Sequence, residues 1–115
     1  WGEELDTDRL NCQLTNIGAT SAVGCFPTGA SPYGVEELAG NVWEWTRGLY
    51  GFAAPYNPSD GREDLTAPPP SGRVLRGGSW YEEISTGGCG VRDGYIPGYR
   101  YDYNGFRVVA SPILR

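Results

Sequence analysis

The stretch AGNVWEWT, residues 39–46, decides how this chain folds. Its first three residues have the composition of a tight turn, because Gly and Asn tolerate backbone conformations that other residues avoid. After the turn, Val42, Glu44 and Thr46 alternate with two tryptophans. A period of two predicts a β-strand with both indoles on one face and Glu44 on the other.

Two further stretches read as strands. RVLRGGSW (73–80) predicts a strand broken by a glycine pair, which indicates a bulge or a close approach of backbone. GFRVVA (105–110) predicts a last strand with Phe106 and Val108 on one face and Arg107 and Val109 on the other.

The rest of the chain is short of regular patterns. Residues 1–31 read as coil, Val35 to Leu38 as at most a short helical turn, and residues 48–72 as a long irregular stretch that contains Pro68-Pro69-Pro70. Short strands separated by long ordered loops predict a β-poor α+β architecture in a single domain.

Composition excludes several classes of function. The 115 residues carry 14 Asp plus Glu against 9 Lys plus Arg, a net charge of −5, and His is absent. The absence of His excludes imidazole catalysis and imidazole metal sites. All the cations are Arg, so the lysine of a Walker A loop and a lysine Schiff base are excluded as well. The acidic balance disfavours nucleic acid as a partner, and no apolar run reaches the roughly 18–20 residues that membrane insertion needs.

The chain begins at Trp1 and contains no Met, which predicts a segment of something longer. The cellular compartment stays open, with an extracytoplasmic or cell-surface location slightly favoured. The three cysteines allow one disulfide at most, and Cys12 with Cys25 is a possible pair. Three small buried hydrophobic side chains, Cys89 included, is the favoured interpretation.

Two carboxylates flank the turn that begins at Ala39. Glu37 and Glu44, with turn carbonyls pointing inward, would supply the oxygen ligands that a hard cation such as calcium prefers. The alternative is that Glu44 pairs with an arginine while Glu37 is solvated.

An aromatic segment follows the glycine pair. Five of the eight tyrosines fall within residues 81–103, and alternation places Tyr99, Tyr101 and Tyr103 on one side of an extended segment. Tyr combines rigid contact area with a polar tip, which favours display for recognition over coverage of a thin core. The candidate ligand-binding residues are Tyr81, Asp93, Tyr95, Tyr99, Tyr101, Tyr103 and Asn104.

Arginines concentrate in the last third of the chain. Structural salt bridges are the first interpretation, because Arg suits bidentate and partly buried pairs, and an anion-binding patch is the second. The arginines concerned are Arg73, Arg76, Arg92, Arg100 and Arg107.

AGNVWEW, VLRGGSW and GFRVV, in this order and spacing, resemble the formylglycine-generating enzyme (sulfatase-modifying factor) family. The opening WGEE and the closing CGVRDGYIPGYRYDYNGFR are also similar to that family. The resemblance covers residues 1–115 as the C-terminal portion of a single family domain. It implies a variant of the C-type lectin fold, with short strands and long ordered loops.

Catalytic members of that family hold Cu(I) with two cysteines, five residues apart, shortly after the GGS-aromatic motif. Here Glu82 stands at the first position and Thr86 or Gly87 at the second, while Cys89 is isolated. One thiolate does not replace the pair of soft ligands, and the related iron-dependent sulfoxide synthases need histidines. The resemblance therefore implies a non-catalytic member.

The family's calcium site carries over more fully. The resemblance places its ligands at Glu37, Gly40, Val42 and Glu44, with Glu37 where relatives more often have Asp or Asn. A second family site begins at an Asn like Asn11, but its acidic partner has no clear counterpart.

The resulting hypothesis is a calcium-stiffened module that displays residues 81–104 to a protein or glycan ligand. The segment also resembles the variable proteins of diversity-generating retroelements, which favour Tyr, Asp, Asn, Ser and Gly there. One alternative is an oxidoreductase fragment that associates with a missing N-terminal half. The other is a structural accessory subunit of a larger assembly.

Overall fold

A four-stranded sheet joins the three motifs in the computed structural model, which describes residues 4–83 and 88–110. The strands are β1 (Trp43–Leu49), β2 (Arg73–Arg76), β3 (Asp93–Tyr95) and β4 (Asn104–Gly105). Their order across the sheet is β3-β2-β1-β4. The strand predicted at NVWEWT and the strand that ends at a glycine pair are both confirmed as β1 and β2.

The sheet is mixed. β2 is antiparallel to both β1 and β3, whereas β4 pairs with β1 in parallel. Trp45 lies opposite Leu75, and the register of β1 with β2 is irregular between Trp45 and Leu49. At the end of β2 the chain turns through Gly77 and Gly78, both at positive φ, as the predicted break requires.

The described residues contain less helix than the predicted α+β architecture implies. In the described ranges the helical structure consists of two 3₁₀ turns, Gln13–Thr15 and Pro27–Gly29, and the predicted turn of helix at Val35 to Leu38 is not formed. Glu37 within that stretch has a positive φ of 55°, which an α-helix does not accommodate. No helix in the described part is long and apolar enough to cross a membrane.

The turn before β1 binds the N-terminal coil and the glycine pair by backbone hydrogen bonds. The Gly40 N–H donates to the Gly77 carbonyl (2.8 Å), and the Asn41 N–H donates to the Asn11 carbonyl (2.7 Å). A Cβ on Gly40 would lie 2.4 Å from the Asn11 oxygen, and its φ is +77°. Only glycine fits this contact without moving the backbone.

The same turn also holds the segments before and after the tyrosines. The Asn41 carbonyl accepts the Trp80 N–H (2.9 Å), and the Trp43 N–H donates to the Tyr103 carbonyl (2.8 Å). Residues 40–43 therefore contact the N-terminal coil, the GGSW motif and the approach to β4 through backbone groups alone.

Side-chain amides reinforce this junction. Asn41 Oδ1 accepts the Ser21 N–H (3.0 Å), and Asn41 Nδ2 donates back to the Ser21 carbonyl (3.3 Å). Asn11 is fully buried, and its Nδ2 donates to the Ala19 carbonyl (2.9 Å). Buried amides of this kind hold irregular coil in place because their loss leaves unpaired polar groups.

The hydrophobic core is thin and centred on the sheet. Trp43 and Leu75 are buried to 1% and 0% exposure, and Val74 lies beside them. Trp45 is half-buried, so only the first indole of the predicted pair reaches the core fully. The other buried apolar residues are Leu10, Cys12 and Phe26.

The irregular stretch between β1 and β2 is organised around one arginine. Arg62 is only 7% exposed, and its guanidinium binds the Asp60 carboxylate and two loop carbonyls. It also lies over the rings of Phe52 and Tyr56, 5.5 and 5.0 Å from their centroids. This hydrogen bonding lowers the pKa of Asp60. The loop is ordered by a buried cation, not by secondary structure.

The predicted last strand is wrong beyond its first residue. β4 ends at Gly105, and Phe106, Val108 and Val109 are 74%, 84% and 89% exposed. Alternation becomes a strand only where one face is buried, and here neither face reaches the core. Arg107 is instead drawn onto acidic and carbonyl oxygens of the turn before β1.

β3 lies in a segment that has no periodic pattern. Its sequence, Asp93-Gly94-Tyr95, is typical of a turn, yet it pairs with β2. The Tyr50 ring covers Gly94 so closely that a Cβ there would lie 2.2 Å from Tyr50 Cγ. Tyr50 follows the end of β1, and its ring packs on β3 where glycine has no side chain.

The cysteines are all free, and only Cys12 is buried. Cys25 and Cys89 are exposed, so the interpretation as three buried hydrophobic residues is wrong for these two. The Cys12 thiol contacts Thr15 Oγ1. The possible disulfide between Cys12 and Cys25 is not formed.

Replacing Leu75 by Ala removes a fully buried side chain from the centre of the sheet. We expect Leu75→Ala to lower the free energy of unfolding by about 2–5 kcal/mol, measured by urea denaturation. Val109→Ala, at a largely exposed position, is the control and should change it by less than about 0.5 kcal/mol. Equal effects of the two substitutions would contradict the location of the core.

Candidate functional site

Five tyrosine rings form one continuous cluster on the surface. Tyr81 stacks on Tyr103 (centroids 5.4 Å apart), and Tyr103 stacks on Tyr101 (4.9 Å). Tyr101 contacts Tyr95 (5.7 Å) and Tyr99 (6.0 Å), and these two also contact each other. We call these five residues the tyrosine cluster. The structure thus brings together every tyrosine of the predicted ligand-binding set.

Exposure varies across the cluster. Tyr81, Tyr99 and Tyr101 are 59%, 50% and 42% exposed, whereas Tyr95 and Tyr103 are half-buried. Of the three tyrosines predicted to share one side of an extended segment, Tyr99 and Tyr101 are exposed and Tyr103 is half-buried. Two rings form the base of the cluster, and three present their faces and edges to solvent.

Backbone geometry explains how residues distant in sequence meet. Tyr95 ends β3, and a turn follows in which the Tyr99 N–H donates to the Ile96 carbonyl (3.2 Å). Gly98 has a φ of +118°, which the reversal requires. The chain then runs back past Tyr95 to Tyr103, directly before β4.

Burial governs the two phenols at the base of the cluster. It is the main reason that the pKa of Tyr95 rises to about 12, with the charge of Asp93 contributing. Burial also raises the pKa of Tyr103. Both rings stay neutral at physiological pH and offer hydroxyl groups as donors and acceptors.

The remaining two predicted ligand residues lie on the adjacent strands. Asp93 begins β3, and its Oδ1 accepts the Gly94 N–H (2.7 Å). Asn104 begins β4 beside Tyr103, and both polar atoms of its amide are buried without a hydrogen-bond partner in the described residues. Such an amide has unused capacity for a ligand or water.

The acidic turn before β1 is bound by an arginine. Arg107 pairs with both carboxylate oxygens of Glu44, with Nε 2.6 Å from Oε2. Its other nitrogens donate to the carbonyls of Glu36 (2.9 Å) and Glu37 (2.8 Å). The alternative in which Glu44 pairs with an arginine is therefore what the structure shows.

Glu37 is not the solvated side chain that this alternative assumed. Its Oε1 accepts the Gly24 N–H (3.3 Å), while its Oε2 is buried without a partner in the described part of the chain. Burial raises the pKa of Glu37. An orphaned carboxylate oxygen suits a cation, so the fit to calcium is good at Glu37. At Glu44, a metal would have to share oxygens with Arg107.

Of the other proposed metal ligands, Gly40 is buried in the turn and Val42 precedes β1, so both could contribute only carbonyl oxygens. Within residues 4–83 and 88–110, no group of three or more Cys, Asp or Glu side chains could hold a metal ion. Any cation at this turn would depend on backbone carbonyls for much of its ligand set.

Of the two positions of the family's thiol pair, only the first lies within the described residues. The Glu82 carbonyl accepts the Gln13 N–H (3.2 Å), and Thr86 and Gly87 lie outside the described residues. Cys89 is free and exposed, on a loop whose carbonyls bind Arg76.

The arginines of the last third form fewer salt bridges than predicted. Among the described contacts, only Arg107 has an ion pair, whereas Arg73, Arg76 and Arg92 donate to backbone carbonyls. Arg100 has no hydrogen bond or ion pair to any described residue. Sequence reasoning also missed Arg62, whose only signal was its position in a long loop rich in Pro, Gly and aromatic residues.

Comparison with known proteins agrees with the three motifs. Residues 1–112 match the family model described as the sulfatase-modifying factor enzyme 1-like domain. The chain belongs to this family. The resemblance inferred from AGNVWEW, VLRGGSW and GFRVV is confirmed.

Three relatives show the range of the family. Hercynine oxygenase of Mycobacterium tuberculosis is 38% identical over 72% of this chain and 20% of its own length. The serine/threonine-protein kinase pkn1 of Chlamydia caviae is 35% identical over 92% of this chain and 16% of its own. The mouse protein named inactive C-alpha-formylglycine-generating enzyme 2 is 34% identical over 96% of this chain and 36% of its own length.

The chain thus spans only a fifth or less of the first two relatives. The sulfatase-modifying factor domain occurs both in a protein named as an oxygenase and in one named as inactive. The relatives named as inactive fit a non-catalytic domain of this family, whereas the hercynine oxygenases are named as enzymes.

Tyr95→Phe removes the phenol whose pKa is raised to about 12. Because the folded state favours the neutral form, the contribution of Tyr95 to stability is complete below pH about 10 and is lost as pH rises toward 12. We expect the variant to lose the latest phase of tyrosinate absorbance in a spectrophotometric titration and to unfold with less dependence on pH above 10. An unchanged late phase would contradict the assignment of the raised pKa to the buried Tyr95 hydroxyl.

Glu44→Gln removes the carboxylate that accepts from Arg107 and leaves a partly buried guanidinium without its anion. We expect a loss of about 1–3 kcal/mol in the free energy of unfolding at neutral pH. Glu63→Gln, which breaks the surface pair with Arg47, is the control and should cost less. An effect of Glu44→Gln no larger than this control would rule out Arg107 as an anchor of the turn.

Proposed function

We propose that this chain is a non-catalytic ligand-binding module that presents the tyrosine cluster to a protein or glycan. The single observation that carries the proposal is the contact of five rings over one surface, three of them strongly exposed. The proposed scaffold is a C-type lectin-like fold stiffened by calcium. Nucleic acid binding and membrane insertion form no part of the proposal.

The chemistry of the cluster supports recognition. A phenol offers a large rigid apolar face and a hydroxyl tip, and it loses little conformational entropy when a partner orders it. Stacked rings give a flat platform on which a sugar ring or an apolar side chain could lie. At its border, the unpartnered amide of Asn104 and the carboxylate of Asp93 would supply directional hydrogen bonds.

A finer version of the proposal treats the segment as the variable region of a diversity-generating retroelement protein. Tyr, Asp and Asn at positions such as Tyr99, Asp102 and Asn104 fit that composition. The genomic neighbourhood would decide it. A near-identical repeat beside a reverse transcriptase, differing only at adenines, supports this version, and its absence removes it.

An oxidoreductase is the second candidate, because a hercynine oxygenase is among the relatives. This candidate requires redox ligands from a region outside residues 1–115, since the thiol pair and histidines are absent here. Copper or iron bound stoichiometrically by the longer protein would favour it. A structural role in a larger assembly is distinguished by the response of binding to the substitutions below.

Exposed rings of the cluster should matter for binding more than for folding. Binders would be selected from a random dodecapeptide library and a glycan array with the unmodified chain. We expect Tyr99→Ser with Tyr101→Ser to weaken their binding by about tenfold or more, because aromatic anchors dominate such surfaces. Tyr33→Ser, at a residue 93% exposed and outside the cluster, is the matched control.

Stability separates display from core packing in this experiment. If the double variant unfolds several kcal/mol more easily than the Tyr33 control, the rings belong to the core, and the proposal fails. Retained binding in a folded double variant would also contradict it.

The calcium part of the proposal rests on Glu37, whose Oε2 is buried without a partner among residues 4–83 and 88–110. Glu37 and Glu44 would supply side-chain oxygens, and Gly40 and Val42 would supply carbonyl oxygens. Bound calcium would neutralise the acidic turn and stabilise the folded state by mass action.

Millimolar calcium should therefore raise the Tm of the unmodified chain by several degrees, measured by calorimetry after chelator treatment. Glu37→Gln should abolish this shift, while Glu83→Gln, a carboxylate outside the turn, should retain it. An equal Tm with calcium and with chelator would contradict the calcium part of the proposal. The part that concerns the tyrosine cluster does not depend on this result.

A further inference from the structure

An open groove of about 520 Å³ lies where the tyrosine cluster meets the sheet. Trp45 and Tyr99 supply aromatic walls, and Arg47, Arg73 and Arg100 supply guanidinium groups. Leucine and proline side chains complete the apolar part of its lining. No carboxylate lines the groove in the part of the chain that the structure describes.

The three arginines are not equally engaged. Arg47 pairs with Glu63 at the rim, so much of its charge is neutralised. Arg73 donates from one nitrogen to the Arg47 carbonyl (2.7 Å). Hydrogen bonds from Thr66 are the main reason that the pKa of Asp64 is lowered, and the charge of Arg73 adds to this effect. Arg100 contacts no described acceptor, which leaves its whole guanidinium for a ligand.

This arrangement is unusual for a chain with a net charge of −5. Cations collected in one groove favour an anionic ligand, and Arg suits carboxylates because its planar fork binds both oxygens. The acidic remainder of the surface repels a long polyanion such as nucleic acid. The aromatic walls add a place for an apolar side chain, which a free inorganic anion would not use.

We propose that the groove binds an acidic peptide segment. Its carboxylates would lie on Arg100 and Arg73, and an apolar side chain would lie between Trp45 and Tyr99. This inference rests on the proposed function, because Tyr99 belongs both to the tyrosine cluster and to the groove. It adds to that function the chemical class of the ligand.

The test uses two synthetic peptides that differ only in charge. The probe is acetyl-Gly-Glu-Phe-Glu-Gly-amide, and its twin carries Gln in place of both Glu. Titrations follow the indole N–H signal of Trp45 by NMR at low and at high salt. We expect saturable shifts with the Glu peptide, at least about fivefold weaker binding of the Gln twin, and weakening by salt.

Variants locate the contact. Arg100→Gln should weaken the Glu peptide by about fivefold without a change in Tm, because Arg100 has no partner to lose in the described fold. Arg9→Gln removes the same charge outside the groove and should leave binding unchanged. Equal binding of both peptides, no binding of the Glu peptide at millimolar concentration, or an equal effect of the two variants would overturn the inference.

Tyr101→Ser separates this inference from the proposed function. Tyr101 belongs to the cluster but does not line the groove, so Tyr101→Ser tests the cluster whereas Arg100→Gln tests the groove. If library-selected ligands depend on Tyr101 while the Glu peptide fails to bind, the groove inference fails alone. If the Glu peptide binds through Arg100 while the Tyr→Ser variants of the tyrosine cluster still bind every library-selected ligand, the proposed function of the cluster fails instead.

Discussion

The structure depends on the backbone hydrogen bonds of one turn. Residues 40–43 donate to or accept from the N-terminal coil, the glycine pair, the start of the tyrosine segment and its end. With a small core and short strands, these contacts give long irregular segments a fixed position. Glycine is required at position 40 because it adopts a positive φ in close contact with the Asn11 backbone, and asparagine at position 41 tolerates its positive φ better than most residues.

Cation chemistry is the second constraint on this turn. Arg107 already brings one positive charge to Glu44 and to two carbonyls. Glu37 keeps a buried oxygen that no described residue contacts by a hydrogen bond. A guanidinium and a calcium ion could therefore serve neighbouring parts of the same acidic turn. The relative strength of arginine and calcium binding at this turn would decide how rigidly β4 is held against β1. Tyr103 and Asn104 lie at the start of this pairing.

Periodicity predicted the parts of the fold that the core decides. β1 and β2 follow from alternation beside a buried face, and the family follows from three ordered motifs. Periodicity did not predict β3, because Asp-Gly-Tyr has no alternating pattern and its pairing with β2 and contact with Tyr50 are tertiary. It also failed at Phe106 and Val108, where an apolar pattern stays on the surface. The tyrosines were recognisable from composition, but their contacts depend on tertiary turns.

The central claim is that a rigid turn carries a separable recognition surface. Native-state hydrogen exchange tests it most directly, because it reports local opening residue by residue. The account predicts that the amides of Gly40, Asn41 and Trp43 exchange only through global unfolding, while those of Tyr101 and Asp102 exchange far faster by local opening. Equal protection of both sets would mean that the tyrosine segment belongs to the folding core, and the account would be wrong.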